Sequence, residues 1–186
     1  MSAAAEDTNN TNPDIRQQVD ANRATAKNIE LLIPGLRGYR QSEDIRAADE
    51  LLRNQVADKL DLGKMNLESL RKQMATAGDF GNLTPVGSLI FQTQQFSGEV
   101  RHAQQGYAGF AANIRVTQDK LNKLYDYDYD FVAAAVQFVD ATSHLVYDPT
   151  APNSALTNIS ALSSSLTDAK RKWMVRMEAI ENILVT

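Results

Sequence analysis

A chain of 186 residues, 43% hydrophobic and 23% charged, is long enough to bury one core without metal or disulfide support. Its formal charge of −4 gives no general pull toward nucleic acid or anionic membrane, and its lack of cysteine excludes disulfides, thiolate nucleophiles and thiolate metal sites. The opening MSAAAEDTNNTNPD has neither a basic nor an apolar signal region, and no stretch nears ~20 apolar residues, so the expectation is a cytoplasmic protein with no spanning helix.

Residues 1–11 are small, polar and aperiodic and are expected to form a disordered tail, leaving 12–186 as a single helical domain. Asn12-Pro13 reads as a helix start, and Ile15, Val19, Ala26, Ile29 and Ile33 recur at helical spacing until Ile33-Pro34-Gly35 stops the run. Ser42 caps a second predicted helix whose apolar stripe runs Ile45, Ala48, Leu52, Val56, Leu60, Leu67, Leu70, Met74. Gly63 interrupts that stripe and is a candidate kink. Arg46 and Arg53 alternate with Glu43, Asp49 and Glu50, which reads as a solvated or salt-bridged face.

AGDFGNLTP breaks the chain, and Thr84-Pro85 starts a third predicted helix that continues to about Gln104. GYAGF, at 106–110, is the next break, and a long fourth helix follows to about Val146. After YDPTAPN comes the most regular segment. Leu156, Ile159, Ser163, Leu166, Lys170, Trp173, Met177, Ile180 and Leu184 alternate three- and four-residue steps, as a coiled-coil seam does. The fold expected is all-α, an elongated up-and-down bundle of four to five long helices with coiled-coil-like packing.

The fourth helix contains LYDYDYDFV, at 124–132, which alternates tyrosine and aspartate like a strand. Helical spacing continues on both sides without a turn residue, so the stretch reads as helix, with Asp126 and Asp130 on one face and Asp128 pointing away. As a calcium loop it lacks the obligatory glycine, replaced by Phe131, and the bidentate glutamate, replaced by Gln137. A hairpin turning near residue 150 brings together residues whose numbers sum to about 300. Asp128 and Asp130 then face Lys172 and Lys170, so Asp126, Asp128, Asp130, Lys170 and Lys172 are expected to set the register.

Few other groups suggest chemistry. Glu99-x-x-His102 is half of a di-iron motif, but His144 falls at the far end of the bundle, so only a mononuclear site of Glu99, His102 and Asp119 is conceivable. The histidines lack the lysine and small neighbours of a phosphotransfer site, and no nucleotide loop or hydrolase elbow occurs. In LRGYR, Arg37 and Arg40 flank Tyr39 and form a candidate partner-binding loop; the same tyrosine can equally plug the end of the bundle.

Ile33, Pro34, Gly35, Gly38, Tyr39, Leu51 and Arg53, followed by Tyr107, Gly109, Phe110, Leu124, Tyr125 and Asp128, form a pattern over about a third of the chain. It resembles a group of uncharacterised prokaryotic helical-bundle proteins, a likeness that implies helical architecture and no particular activity. The functional expectation is a non-enzymatic scaffold or adaptor that binds a protein partner or its own copies, with no cofactor and no nucleic acid. Two alternatives are a peripheral membrane-surface scaffold and a metal-binding bundle using Glu99 and His102. The first is disfavoured by the sparse basic groups Arg16, Arg23 and Lys27 on the first predicted helix.

Overall fold

The computed structural model describes residues 28, 29, 31, 32, 45–103 and 118–185. Four helices account for most of them: α1, Ile45–Thr76; α2, Leu83–His102; α3, Gln118–Ser143; and α4, Pro152–Val185. Among the described residues there is no strand, and no helix is long and apolar enough to cross a membrane. Of the first predicted helix, residues 28, 29, 31 and 32 are helical, and Ile29 is buried in the same core as α1 to α4. The predicted tail at 1–11, the Arg37–Tyr39–Arg40 loop and the GYAGF break lie outside the described residues.

α1 forms as its apolar spacing dictates, with Leu52, Val56, Leu60, Leu67, Leu70 and Met74 all buried on one stripe. It runs through Gly63 without a break. A Cβ there would lie 3.3 Å from the Phe138 ring and 3.4 Å from Val139, so the glycine serves close approach of α3 rather than a bend. Gly78 ends the helix at φ 82°. Its N–H donates to the Ala75 carbonyl and the Asp79 N–H to the Met74 carbonyl, the paired bonds of a Schellman turn. α2 starts at Leu83, two residues before the expected proline. Pro85 therefore falls in the first turn, where its missing N–H has no helical partner to lose.

The helices form two antiparallel hairpins, α1–α2 and α3–α4, laid side by side with α1 against α3 and α2 against α4. In the second hairpin, Asp128 meets Arg176 and Phe131 meets Trp173, pairs whose numbers both sum to 304. The expected turn near 150 was right, but the register sits one helical turn further along than the Asp128–Lys172 pairing assumed. Between hairpins the neighbours run parallel: Trp173 bonds Glu99 and Lys170 lies over Phe96, both with a constant difference of 74 (173 − 99 and 170 − 96). α1 and α4 thus face each other across the core, as do α2 and α3. Phe96 and Phe131 span the second diagonal edge to face, with ring centroids 6.3 Å apart.

On α4 the structure turns a different stripe inward from the one expected. Ile159, Leu166, Trp173 and Ile180 are buried as the seam required, but the alternate members are Ala155, Leu162, Ala169 and Arg176. Ser163, Lys170 and Met177, the expected members, are only half-buried. Both sets have heptad spacing with the same four shared residues, so spacing alone cannot choose between them.

Candidate functional site

At the end of the bundle where α1 begins and α4 finishes, the core holds two arginines and two aspartates. Arg176 and Asp128 are 0% exposed, and Asp49 and Arg53 are also buried. The Arg176 guanidinium reaches across the diagonal: Nε donates to Asp128 Oδ1 at 2.5 Å and Nη2 to Asp49 Oδ1 at 2.5 Å. Asp49 in turn accepts from Arg53 Nε, four residues along α1, at 2.9 Å through its other oxygen. Arg53 Nη1 donates to the Arg101 carbonyl at 3.3 Å and to the Ala103 carbonyl at 2.9 Å, satisfying acceptors at the end of α2 that the helix leaves without partners. One unbroken chain of charge-assisted bonds therefore joins all four helices.

The physical logic is compensation. Each of these ions, taken alone from water into a core, costs several kcal/mol. Two positive and two negative groups in contact offset that cost, and Arg176 lies over the Trp173 ring at 5.3 Å besides. The planar fork of arginine is what lets one side chain hold two acids on different helices. A lysine, with a single point of charge, would not.

The sequence located one of these four residues. Asp128 does point away from Asp126 and Asp130, both of which are exposed, as a helix requires. α3 is helical from Gln118 through Ser143, so the YDYDYD stretch is neither strand nor calcium loop. Across the hairpin, however, Asp128 bonds Arg176 where Lys172 was expected. Lys172 pairs with Asp168 on its own helix at 3.5 Å, and Lys170 sits 5.8 Å above the Phe96 ring. Asp49 and Arg53, read as part of a solvated or salt-bridged face, are indeed salt-bridged to each other, but inside the bundle. A signal was present: Asp49, Leu52, Arg53 and Val56 follow one another at short helical steps on the apolar stripe of α1.

Of the three conceivable metal ligands, the structure describes the side chains of Glu99 and His102. Glu99 accepts a hydrogen bond from Trp173 Nε1 at 3.1 Å, and His102 is the exposed last residue of α2. Asp119 is in the first turn of α3, with its side chain outside the described set. His144 follows the far end of α3, a helix of 26 residues or roughly 39 Å at the usual rise. Among the described residues, no three His, Asp or Glu side chains group closely enough to hold a metal ion.

A second feature lies on the outer face of the first hairpin. Between α1 and α2 runs an open groove of about 420 Å³, with Met65 and Lys64 on one wall, Gln94 and Arg101 on the other and Gly98 between them. Arg101 bridges the hairpin to Asp58 at 2.9 Å and Asp61 at 2.6 Å, and its hydrogen bond to Asp58 raises its pKa further above the usual arginine value. Ser97 Oγ donates to Asp61 at 2.7 Å, closing one side of the groove. Leu62, one turn before Met65, and Phe91, one turn before Gln94, extend the rim with apolar side chains.

No family model, no curated protein and no solved structure matches this chain.

Proposed function

We propose that the protein is a non-enzymatic helical scaffold or adaptor of the cytoplasm that works through protein–protein contacts or self-assembly. The carrying observation is where its apolar and charged groups lie. The strongest ionic groups face one another inside the core, held in bonds between helices, while large apolar side chains remain outside. Leu62, Met65 and Phe91 are 52%, 59% and 66% exposed along one hairpin face, next to a groove whose α2 wall includes Gly98. Apolar knobs beside a shallow groove between helices suit the apolar face of a partner helix. The outward-facing ion pairs of Arg101 form the polar rim expected around such a contact.

Native mass spectrometry tests self-assembly first, through whole multiples of the 20.5 kDa chain mass. A photo-crosslinking residue placed at Met65 and at Phe91 then tests the face, with a control at Thr157, exposed on the opposite hairpin. Crosslinks to protein at both rim positions and none at the control support the reading. Equal labelling at all three, or none at the rim, removes it.

A further inference from the structure

α4 carries two overlapping heptad stripes that share Ile159, Leu166, Trp173 and Ile180. One adds Ala155, Leu162, Ala169 and Arg176; the other adds Leu156, Ser163, Lys170 and Met177. With 100° per residue, the two centres differ by about 50° of rotation about the helix axis. Each stripe contains one long cation, Arg176 in the first and Lys170 in the second, so neither is purely apolar. What separates them is counter-charge. In the observed state Arg176 meets Asp128 of α3 and Asp49 of α1, while Lys170 stays half-buried over Phe96.

We infer that the buried charge cluster is a rotational lock, in which Asp49 and Asp128 select the Arg176 stripe of α4 over the Lys170 stripe. Apolar packing is non-directional and accepts either stripe, because both supply leucine, isoleucine and tryptophan at the same spacing. A fully buried guanidinium does not accept both. Turned by about 50°, Arg176 leaves its two acids, which then stand in the core without the cation they share. Arg53 still reaches Asp49 from within α1, but its bonds hold no part of α4. The lock acts at one end of the helix and holds the whole 34-residue element, because a helix rotates as a rigid rod.

The chain contains no cysteine, so single introduced thiols report rotation cleanly. Ala169→Cys lies on the buried stripe and Ser163→Cys beside it. With the cluster intact, the thiol at position 169 reacts with a maleimide more slowly than the thiol at position 163, by roughly tenfold or more. Lys170→Leu removes the cation from the competing stripe, and that order is expected to survive it, since the acids still hold Arg176. Adding Asp49→Asn and Asp128→Asn to Lys170→Leu is expected to reverse the order, with the thiol at 163 now protected and the thiol at 169 reactive. Reversal by Lys170→Leu alone overturns the inference, because the cluster would not be selecting anything. So does an unchanged order in the neutralised variant, or equal fast labelling at both thiols, which marks local unfolding instead of rotation. Should the doubly neutralised chain lose its helical circular dichroism, Lys170→Leu with Asp128→Asn alone decides: a shift of the labelling ratio toward position 169 supports the lock, and no shift rejects it.

Discussion

The two ends of the bundle are held together by different physics. At one end, Arg176, Asp128, Asp49 and Arg53 bind four helices through directional charge-assisted bonds. At the other, Leu70, Met74 and Val86 fill the space, Gly78 shapes the turn, and Tyr147 donates one hydrogen bond to Asp79 at 2.9 Å. Between them Gly63 lets α1 and α3 approach. The contrast separates two demands on a bundle of long helices. Apolar packing supplies cohesion but tolerates sliding and rotation, whereas buried ions supply little net stability and tolerate neither.

The sharpest way to break that contrast is at the ionic end. Arg176→Ala leaves Asp49 and Asp128 buried without their shared cation, and a loss of about 3–5 kcal/mol is expected in urea unfolding. A loss below about 1 kcal/mol would mean that water enters this end freely. At the waist, Gly63→Val puts methyl groups where even a Cβ stands 3.3 Å from Phe138, and overpacking of this kind costs about 1–3 kcal/mol. Gly98→Ala is the opposite case. No atom lies within 4 Å of an added Cβ, so the helix gains about 0.5–1 kcal/mol, read as a higher urea midpoint with unchanged slope.

The smallest effect sits at the turn end and depends on pH. The hydrogen bond from Asn82, joined by that from Tyr147, holds Asp79 below the usual carboxylate range. Burial, with Asp79 as hydrogen-bond partner, pushes Tyr147 above the usual phenol range. A depressed acid contributes stability that is present above its unfolded value and lost as pH falls through its folded one. A raised phenol contributes stability that is present below its unfolded value and lost as pH rises through its folded one. The Tyr147–Asp79 bond is therefore strongest between about pH 5 and pH 9. Tyr147→Phe is expected to remove the alkaline limb and weaken the acid one, and an unchanged acid limb would assign it to the Asn82 bond of Asp79 or to other carboxylates.

The likeness of the two α4 stripes explains what was legible in advance and what was not. Helix periodicity, the Gly78 and Pro149 regions as breaks, and a hairpin turning near 150 all follow from local chemistry: which residues can continue a helix, which cannot, and how far apart the breaks lie. That Asp128 opposes the other two aspartates of its run is likewise fixed by 100° per residue. By contrast, Asp49 and Arg53 have the spacing of any exposed i,i+4 pair, and although they fall beside Leu52 and Val56, nothing near them in the chain names the cation on α4 that they meet.

The sequence by itself determined an all-helical chain, the identity of its four long described helices to within a few residues, and the antiparallel pairing of the last two. Those properties depend on neighbours in the chain, and the chain states its neighbours. Only the tertiary structure decided which face of α4 turns inward, that α1 lies parallel to α3, and that an arginine is among the most buried side chains of the protein. A charge can be buried only when its counter-charges arrive from elsewhere. For Arg176 they come 48 and 127 residues away in the sequence, a distance over which no local pattern carries information.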